Sequence, residues 1–290
     1  MPHTVTVLSP AKLNLTLAVT GLAENGYHTL DMLMQAVSLY ETVVLKKSRT
    51  LRLSLPGSAV PANPHNTALK AANAFFNETG LLAGVDITVY KKVPVRAGMA
   101  GGSGDAAAVL VGLNALYRAK LSMQTLCRLG ASIGADVPFS ILGGTARVTG
   151  IGDVIAPLPP CPRCFFTVCM PEGGVSTPQA YAQYDALGTD IAVDTAAAEK
   201  AILQGDFNAL CSQMKNALTF SSACKETAPI CKILLENGAK AALMTGSGAA
   251  VFGVYETEAA ARTAQNALQK RYPQCWVVMP VSHGTHLVNI

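Results

Sequence analysis

The sequence predicts a protein that mixes helices and strands in two domains, and three observations support this prediction. The chain has 290 residues, half of them apolar and 14% charged, which suits one large or two ordinary domains and argues against disorder. Segments with alternating apolar residues are interspersed with segments of helical periodicity. Four prolines fall between positions 157 and 162, so we place a boundary there, between domains at 1–157 and 163–290.

The charge pattern limits the classes of partner. The net charge is +4, and the 22 lysines and arginines are scattered along the chain. Because no polybasic segment occurs, we expect neither nucleic acid nor a membrane as a partner, and only a modest preference for anionic small molecules. The N-terminus lacks the regions of a signal peptide, and the uncharged stretch over 241–255 is too short to span a bilayer. The sequence therefore predicts a cytoplasmic protein.

The eight cysteines are irregularly spaced in a large apolar chain, which indicates reduced, mostly buried thiols and not a disulfide framework. Cys161 and Cys164 have the spacing of a metal or redox pair. No second pair of cysteine or histidine ligands completes a zinc site, so we predict no metal site there.

The first strands carry two polar residues. Alternation predicts one strand at 5–7 and another over 13–19, separated by a break at 9–11. Lys12 and Asn14 fall on the face opposite the leucines of the second strand. Such a pair is usually exposed to solvent but can also point into a cleft. The sequence alone favours the solvent-exposed arrangement of the two side chains.

The next elements run up to a glycine-rich loop. A turn over 21–26 precedes Tyr27 and His28, which can stack on a planar ring or lie on the surface. Strands are predicted at 41–45, 51–55 and 85–89. Between the last two, Asn66 is predicted to cap a helix that ends near Asn77, before Gly80.

The glycine loop is the strongest local signal. Glycines occupy 98, 101, 102 and 104, and a helix is predicted over 106–117. A strand, a glycine loop and a helix N-terminus can form a phosphate cradle, because backbone N–H groups approach the ligand and the helix end is positive. The spacing fits neither GxGxxG nor GxxxxGK[ST], so the loop alone leaves anion binding open.

The elements after this loop include one isolated carboxylate. Ser122 is a predicted N-cap, and two strands with tight turns are predicted at 143–147 and 150–153. Asp136 stands alone in an apolar run, so it is a cap, a turn former or a functional group, and the first two are favoured.

The C-terminal half alternates strands and helices. The predicted strands lie at 165–170, on either side of the glycine turn within 241–252, and at 275–279. The predicted helices are a short one containing Tyr181 and others near 193–204, 206–216, 225–237 and 257–270.

Three stretches together resemble the motifs of a known family. They are residues 9–15 (SPAKLNL), the loop over 94–108, and residues 245–248 (TGSG). In content and order they are similar to the three motifs of the GHMP kinases, small-molecule kinases named for galacto-, homoserine, mevalonate and phosphomevalonate kinases.

Three further stretches narrow the resemblance within this family. They are residues 11–14 (AKLN), 26–28 (GYH) and 134–138 (GADVP). They resemble the 4-diphosphocytidyl-2-C-methyl-D-erythritol kinases, ATP-dependent enzymes of non-mevalonate isoprenoid biosynthesis.

The resemblance implies an α+β fold of two domains, the first ribosomal-S5-domain-2-like and the second ferredoxin-like. It implies transfer of a phosphoryl group from ATP, accompanied by Mg²⁺, to the 2-hydroxyl group of a cytidine diphosphate-linked methylerythritol. We expect a monomer or a weak homodimer, and the sequence assigns no metal ligand.

The resemblance also assigns roles to residues. Phosphoryl transfer depends mainly on positioning and charge stabilisation. Asp136 would accept the proton of the substrate hydroxyl, Lys12 would offset charge on the γ-phosphoryl group, and Asn14 would orient the substrate. Asn66 would lie near the adenine. The residues expected to wrap the ATP phosphates are Pro94, Val95, Arg96, Ala97, Gly98, Met99, Ala100, Gly101, Gly102, Ser103 and Gly104.

On the acceptor side, Tyr27 would stack on the cytosine, His28 would hydrogen-bond its polar edge, and Tyr181 would cover the other face. The remaining residues expected to line this side of the cleft are Thr177, Gly246, Ser247 and Gly248.

Three positions depart from the family pattern. Gly104 replaces a serine, so one hydroxyl contact to phosphate is expected to be missing. Ala100 replaces a glycine, which narrows the backbone angles open to the loop, and Arg96 replaces a small residue.

Other functions remain open. A related kinase of homoserine or mevalonate differs in its acceptor pocket, and a non-catalytic nucleotide-binding protein is possible on the same fold. A dehydrogenase is disfavoured because the loop lacks GxGxxG spacing.

Overall fold

The structure, a computed structural model, describes residues 3–24, 26–188 and 191–288. The strands are β1 (Thr4–Leu22), β2 (His28–Ser48), β3 (Arg52–Ser54), β4 (Gly84–Tyr90), β5 (Thr145–Gly150), β6 (Val154–Leu158), β7 (Phe165–Cys169), β8 (Lys215–Asn216), β9 (Ala241–Met244), β10 (Val251–Tyr255), β11 (Cys275–Val278) and β12 (His286–Leu287). The helices are α1 (Thr67–Thr79), α2 (Gly101–Tyr117), α3 (Met123–Ala131), α4 (Asp136–Leu142), α5 (Thr177–Leu187), α6 (Thr195–Gln204), α7 (Phe207–Gln213), α8 (Thr227–Glu236) and α9 (Glu258–Gln269).

The larger sheet is built around the antiparallel pair β1 and β2. Its main path runs β12-β1-β2-β4-β3, while β5 pairs with β2 and β6, and β8 pairs with β1. On one face, α1, α2 and α3 bury a core of alanine, valine and leucine against β1, β2 and β4. This sheet holds both Lys12 and His28.

The first two strands are longer than predicted. The predicted break at 9–11 is wrong, because β1 continues through it and a register shift at Pro10 and Ala11 accommodates the proline. β2 begins at His28, well before the predicted start at residue 41.

A second register shift changes the faces of β1. Asn14 pairs with Met34 and Thr16 with Leu33, so Leu15 is an extra residue in the strand. Leu15 therefore packs into the core shared by the two sheets. Leu17 packs instead into a separate apolar cluster, which contradicts the expectation that all the leucines of this strand share one face.

The helix caps read from the sequence are confirmed. The Asn66 side chain accepts from the N–H of Ala68, Gly80 ends α1 with φ +65°, and the Ser122 side chain accepts from the N–H of Thr125. The start of α2 at residue 106 is wrong, since the helix begins at Gly101 and the second half of the glycine loop forms its first turn.

The smaller sheet confirms the ferredoxin-like expectation. Its strands are antiparallel in the order β11-β7-β10-β9, and two strand-helix-strand connections link them. Phe166 and Phe252 from this sheet share a core with Leu13, Leu15 and other residues of the larger sheet. The two sheets are thus packed on each other.

The predicted boundary between 157 and 163 stays a prediction. Two short strands from beyond it, β8 and β12, pair with β1 of the larger sheet. The helix predicted over 206–216 is too long, because α7 ends at Gln213 and the chain then turns to form β8 and a 3₁₀ helix over Ala217–Ser221.

The cysteines agree with the sequence prediction: all eight are free thiols, and five of them are buried. Within the ranges that the structure describes, no three histidine, cysteine or acidic side chains are arranged to hold a metal ion. The helices in those ranges include none with the length and apolar character needed to cross a membrane.

A buried charge cluster holds the start of α2 to the sheet. Nζ of Lys91 lies 2.5 Å from Oε1 of Glu41 and 2.8 Å from Oδ2 of Asp105, and all three side chains are at most 10% exposed. The other Glu41 oxygen accepts from the N–H of Lys92. Burial raises the pKa of Glu41 and of Asp105, although Lys91 opposes both shifts. Two carboxylates thus compete for one ammonium group.

This imbalance predicts different outcomes for two substitutions. Lys91→Met leaves two buried carboxylates without a cation and should lower the free energy of unfolding by about 3–5 kcal/mol. Asp105→Asn leaves the Lys91–Glu41 pair and should change it by less than about 1 kcal/mol at pH 7. Urea titrations measure both, and Lys232→Met, which removes an exposed lysine of a surface pair, is the control.

The pH dependence has a definite sign. A carboxyl group whose folded pKa is raised contributes stability at pH values below its ordinary pKa, 3.8 for Asp105, and this contribution is lost as pH rises through the folded value. Asp105→Asn should therefore become more stable relative to the wild type as pH rises. Equal costs for Lys91→Met and Asp105→Asn would contradict this account of the cluster.

Candidate active site

One large cavity runs between the two sheets. Its volume is about 1150 Å³. Its walls come from β1, the glycine loop, the starts of α4 and α5, and the turn over 246–248. All the residues singled out in the sequence as site candidates line this cavity except Gly104.

Lys12 and Asn14 are buried, so the expectation of a solvated pair is wrong. They are 5% and 0% exposed, because Asp136 and Gly246 lie against the Lys12 side chain and Thr245 and Met32 contact Asn14. Nζ of Lys12 donates to Oδ1 of Asn14 at 2.6 Å and lies 3.7 Å from Oδ2 of Asp136. Burial lowers the pKa of Lys12, and the Asp136 carboxylate only partly opposes the shift.

Asp136 is the first residue of α4, so it is not the cap that the sequence favoured. The N-cap position belongs to Ala135, and no side-chain hydrogen bond caps this helix. About a third of the Asp136 side chain is exposed, which leaves the carboxylate accessible from the cavity. A partly solvated carboxylate beside a buried ammonium group can accept a proton from a bound hydroxyl group.

The glycine loop touches the turn at Thr245 through backbone atoms. Gly98 has φ +71°, and a Cβ at this position would lie 2.1 Å from the carbonyl oxygen of Thr245. The Thr245 hydroxyl donates to the carbonyl oxygen of Gly98 and accepts from the N–H of Asn14. Only glycine fits at position 98, because both the backbone angle and the close approach exclude a side chain.

The structure shows the backbone angles and neighbours of the three residues that depart from the family pattern. Ala100 adopts φ +60° as the N-cap of α2, and Arg96 has φ +55°, so both residues enter the left-handed region despite their side chains. Gly104 is buried, and a Cβ there would lie 3.0 Å from the Ser9 hydroxyl oxygen and not in the cavity. The loss of a phosphate contact at Gly104 stays a prediction, and a side chain at this position would first meet Ser9.

The first turn of α2 presents donors to the cavity. Its N-cap has no side-chain hydrogen bond, and the first helical bond runs from the N–H of Gly104 to the carbonyl of Ala100. The N–H groups of Gly101, Gly102 and Ser103 therefore have no intrahelical acceptor and lie at the positive end of a helix of 17 residues. Such a helix end favours an anion.

The wall beside this turn includes Asn66. Its side chain caps α1, and its Nδ2 donates to the carbonyl of Pro61. Thr67, the next residue, donates through its hydroxyl to the carbonyl of Gly102 and so joins α1 to α2. The sequence did not point to Thr67 or to Lys91, which also line the cavity.

The opposite end of the cavity is aromatic. His28 stacks on Tyr181 with ring centroids 4.6 Å apart and planes 17° apart. The Tyr27 residue is 66% exposed at the rim. Burial, followed by the Asp136 carboxylate, raises the pKa of Tyr181. Flat rings at this end suit a planar heterocycle.

Three side chains at the site were not identified as site residues from the sequence. Asp185 accepts a hydrogen bond from His28 at 2.8 Å. Asn216 donates to the carbonyls of Met244 and Gly246 and so holds the turn over 246–248. The hydroxyl of Ser247 in this turn lies 3.0 Å from that of Thr177 at the start of α5. Thr245 was noted only as part of a motif. No local pattern marks Asp185 or Asn216, since their partners are distant in the chain.

Comparisons with known proteins are consistent with this geometry. Residues 66–144 match the GHMP kinases N terminal domain, and residues 198–274 match the GHMP kinases C terminal family. A 4-diphosphocytidyl-2-C-methyl-D-erythritol kinase of Alkaliphilus metalliredigens is 37% identical over 96% of this chain and 97% of its own. One of Moorella thermoacetica is 38% identical over 93% and 96%.

Solved structures agree with these relatives. A crystal structure of 4-(cytidine 5'-diphospho)-2C-methyl-D-erythritol kinase superposes with a TM-score of 0.80 at 32% identity, over 95% of this chain and 98% of that one. A homoserine kinase from Cytophaga hutchinsonii has the same TM-score at 20% identity, over 99% and 98%, and shares the fold.

The close approach at Gly98 yields a prediction with a matched control. Gly57 has the same φ of +71°, but a Cβ placed there would meet no atom within 4 Å, so Gly57→Ala measures the backbone strain alone. We expect Gly57→Ala to cost about 1–2 kcal/mol of unfolding free energy. Gly98→Ala should cost at least about 1 kcal/mol more, because the new methyl group displaces the Thr245 carbonyl.

Urea unfolding measures the two costs, and nucleotide titration should show weakened ATP binding for Gly98→Ala alone. If the two variants lost the same stability and bound ATP equally well, the contact between the loop and the turn would not be the constraint described above.

Proposed function

The chain belongs to the 4-diphosphocytidyl-2-C-methyl-D-erythritol kinase family of GHMP kinases, and we propose that it transfers the γ-phosphoryl group of ATP to the 2-hydroxyl group of 4-diphosphocytidyl-2-C-methyl-D-erythritol. The observation that carries the proposal is the approach of Lys12 to Asp136, at 3.7 Å, within a cavity lined at one end by the N-terminus of α2 and at the other by aromatic rings.

The nucleotide occupies the end lined by the glycine loop. The N–H groups of Gly101, Gly102 and Ser103 donate to the phosphate oxygens, and the positive end of α2 favours their charge. The adenine lies toward Asn66. Because Asn66 already caps α1 through its Oδ1 atom, its role there is to shape the wall.

The acceptor hydroxyl group lies beside Asp136. The carboxylate accepts the hydroxyl proton while the oxygen forms its bond to the γ-phosphorus, and the bond from that phosphorus to the β,γ-bridging oxygen breaks to release ADP. Asn14 positions the substrate and also accepts a hydrogen bond from Lys12.

Lys12 stabilises the charge that develops during transfer. Its ammonium group is buried and its pKa is lowered by burial, which means that the surrounding protein solvates the charge poorly. The phosphoryl oxygens supply a second counter-charge, and the interaction is strong because few waters screen it.

Bound ATP would be accompanied by Mg²⁺, which must find its ligands among the phosphates and the cavity residues. Mg²⁺ usually keeps several waters and binds substrate phosphates with few protein oxygens. The described side chains, in which no three metal-binding groups meet, fit this mode. The Ser103 hydroxyl is the loop oxygen that would hold the ion, which when bound neutralises charge on the phosphates.

The cytosine of the acceptor occupies the aromatic end, against Tyr27, His28 and Tyr181. This end favours a cytidine-bearing acceptor over the small acceptors homoserine and mevalonate, which have no ring to stack.

We keep the prediction that the enzyme works as a monomer or a weak homodimer.

Replacing the proposed base tests the mechanism. Asp136→Asn should lower turnover on the order of 100-fold or more, because the amide cannot take up the proton. A coupled assay of ADP release with the cytidine-bearing acceptor measures this. ATP binding should be unchanged, since the phosphates bind to the glycine loop.

The control is Glu258→Gln, which also removes an acid from the first turn of a helix but lies in α9. It should retain full activity. Near-normal turnover of Asp136→Asn would refute the role of the base, and phosphorylation of acceptors irrespective of the cytidine group would favour a kinase of homoserine or mevalonate type. ATP binding without any phosphorylated product would favour a non-catalytic protein.

A further inference from the structure

Helix α5 holds His28 through two side chains one turn apart. Tyr181 and Asp185 are separated by four residues, so both project from one face of the helix. Tyr181 stacks on the imidazole ring, and Oδ1 of Asp185 lies 2.8 Å from Nε2. The His28 side chain is 13% exposed, whereas that of Asp185 is 55% exposed. The ring is thus fixed in both plane and rotation.

The partner of Nε2 determines where the proton of the ring resides. An ionised carboxylate only accepts hydrogen bonds, so Nε2 must carry the proton. In the neutral ring, Nδ1 then has a free lone pair and is an acceptor. Asp185 therefore sets the hydrogen-bonding character of the other nitrogen.

An acceptor nitrogen distinguishes between pyrimidines. Cytosine carries a 4-amino group, which donates, whereas uracil carries a 4-oxo group, which accepts. An acceptor at Nδ1 can pair with the first and repels the second.

We propose that Asp185 is a positioning residue that selects a 4-amino pyrimidine by holding His28 in the tautomer protonated at Nε2. The proposal rests on the proposed function, because it places the base of the acceptor at His28. It deepens that function by naming the group that sets base specificity.

The kinetic test compares the cytidine-bearing acceptor with its uridine counterpart. Asp185→Ala should raise KM for the cytidine acceptor about 10-fold and lower the preference for cytidine over uridine by about 10-fold. The kcat for the cytidine acceptor and the KM for ATP should change less than about 2-fold. Asp185→Glu should restore part of the preference, since a carboxylate again faces Nε2.

The control is Glu236→Gln, which removes an exposed carboxylate of α8. It should match the wild type in every constant. An unchanged preference in Asp185→Ala, or a rise in KM equal for both acceptors, would overturn the proposal, because a merely structural role would not discriminate between the bases.

A measurement without substrate separates this proposal from the proposed function. In ¹⁵N spectra of histidine-labelled protein, with His28→Gln to assign the signal among five histidines, the neutral form of His28 should carry its proton at Nε2 alone. Asp185→Ala should show a mixture of tautomers. A wild-type ring protonated at Nδ1 would overturn the inference even if the kinase assay succeeded. Absence of ADP release alongside the expected spectrum would count against the proposed function and leave the tautomer assignment standing.

Discussion

Contact between the backbones of β1, the glycine loop and the Thr245 turn is the constraint on which the rest of the site depends. The N–H of Lys12 donates to the carbonyl of Met99, and the N–H groups of Ala249 and Ala250 donate to the carbonyls of Arg96 and Ala97. The loop is therefore hydrogen-bonded to both sheets at once. Because these bonds join main chains, the glycine loop and the Thr245 turn are held beside β1, and the Lys12 side chain reaches the cavity from a fixed starting point.

The charges of the protein are arranged around this junction in two buried groups. One group, at Lys91, has two carboxylates and a single cation, and it ties α2 to β2. The other, at Lys12, has one cation with a carboxylate at 3.7 Å. Burial opposes ionisation in both groups. In the Lys91 group the two carboxylates already surround the ammonium group. In the Lys12 group the ammonium group has one carboxylate at 3.7 Å, so an anionic ligand can add a favourable interaction.

Local signals in the sequence predicted most elements, and long-range contacts explain where those predictions failed. Asn66 and Ser122 marked helix starts correctly, because a cap acts within its own turn. The start of α2 was placed too late, since glycines that look like loop residues are held in a helix by contact with β1 and β2. The solvent expectation for Lys12 failed because Asp136 of α4 and Gly246 lie against its side chain, and the alternation within a strand does not encode contacts with residues that are distant in the sequence.

The site itself was predicted to the extent that motifs encode it. The lysine, the aspartate and the glycine loop were all identified, whereas Asp185 lies 157 residues from its partner His28 and belongs to an ordinary helical pattern. Gly104 shows the converse limit, because this position of the glycine motif is buried against Ser9 and does not line the cavity.

The additional residue in β1 has a consequence for how this gene can change length. Ala11 and Leu13 pack into the core between the sheets, whereas the odd positions after Leu15, Leu17 and Val19, pack into a different cluster. The strand thus has a parity that is switched at Leu15, three positions after the buried ammonium group. Deletion of the Leu15 codon would remove the extra residue and leave Asn14 and Thr16 as neighbours opposite Met34 and Leu33, so the later side chains would keep their faces. A one-codon insertion or deletion within 11–14 has no such extra residue to absorb it and would put the side chains that follow it on the wrong face. Selection should accordingly tolerate the loss of a codon at Leu15 better than a change of length at the neighbouring codons.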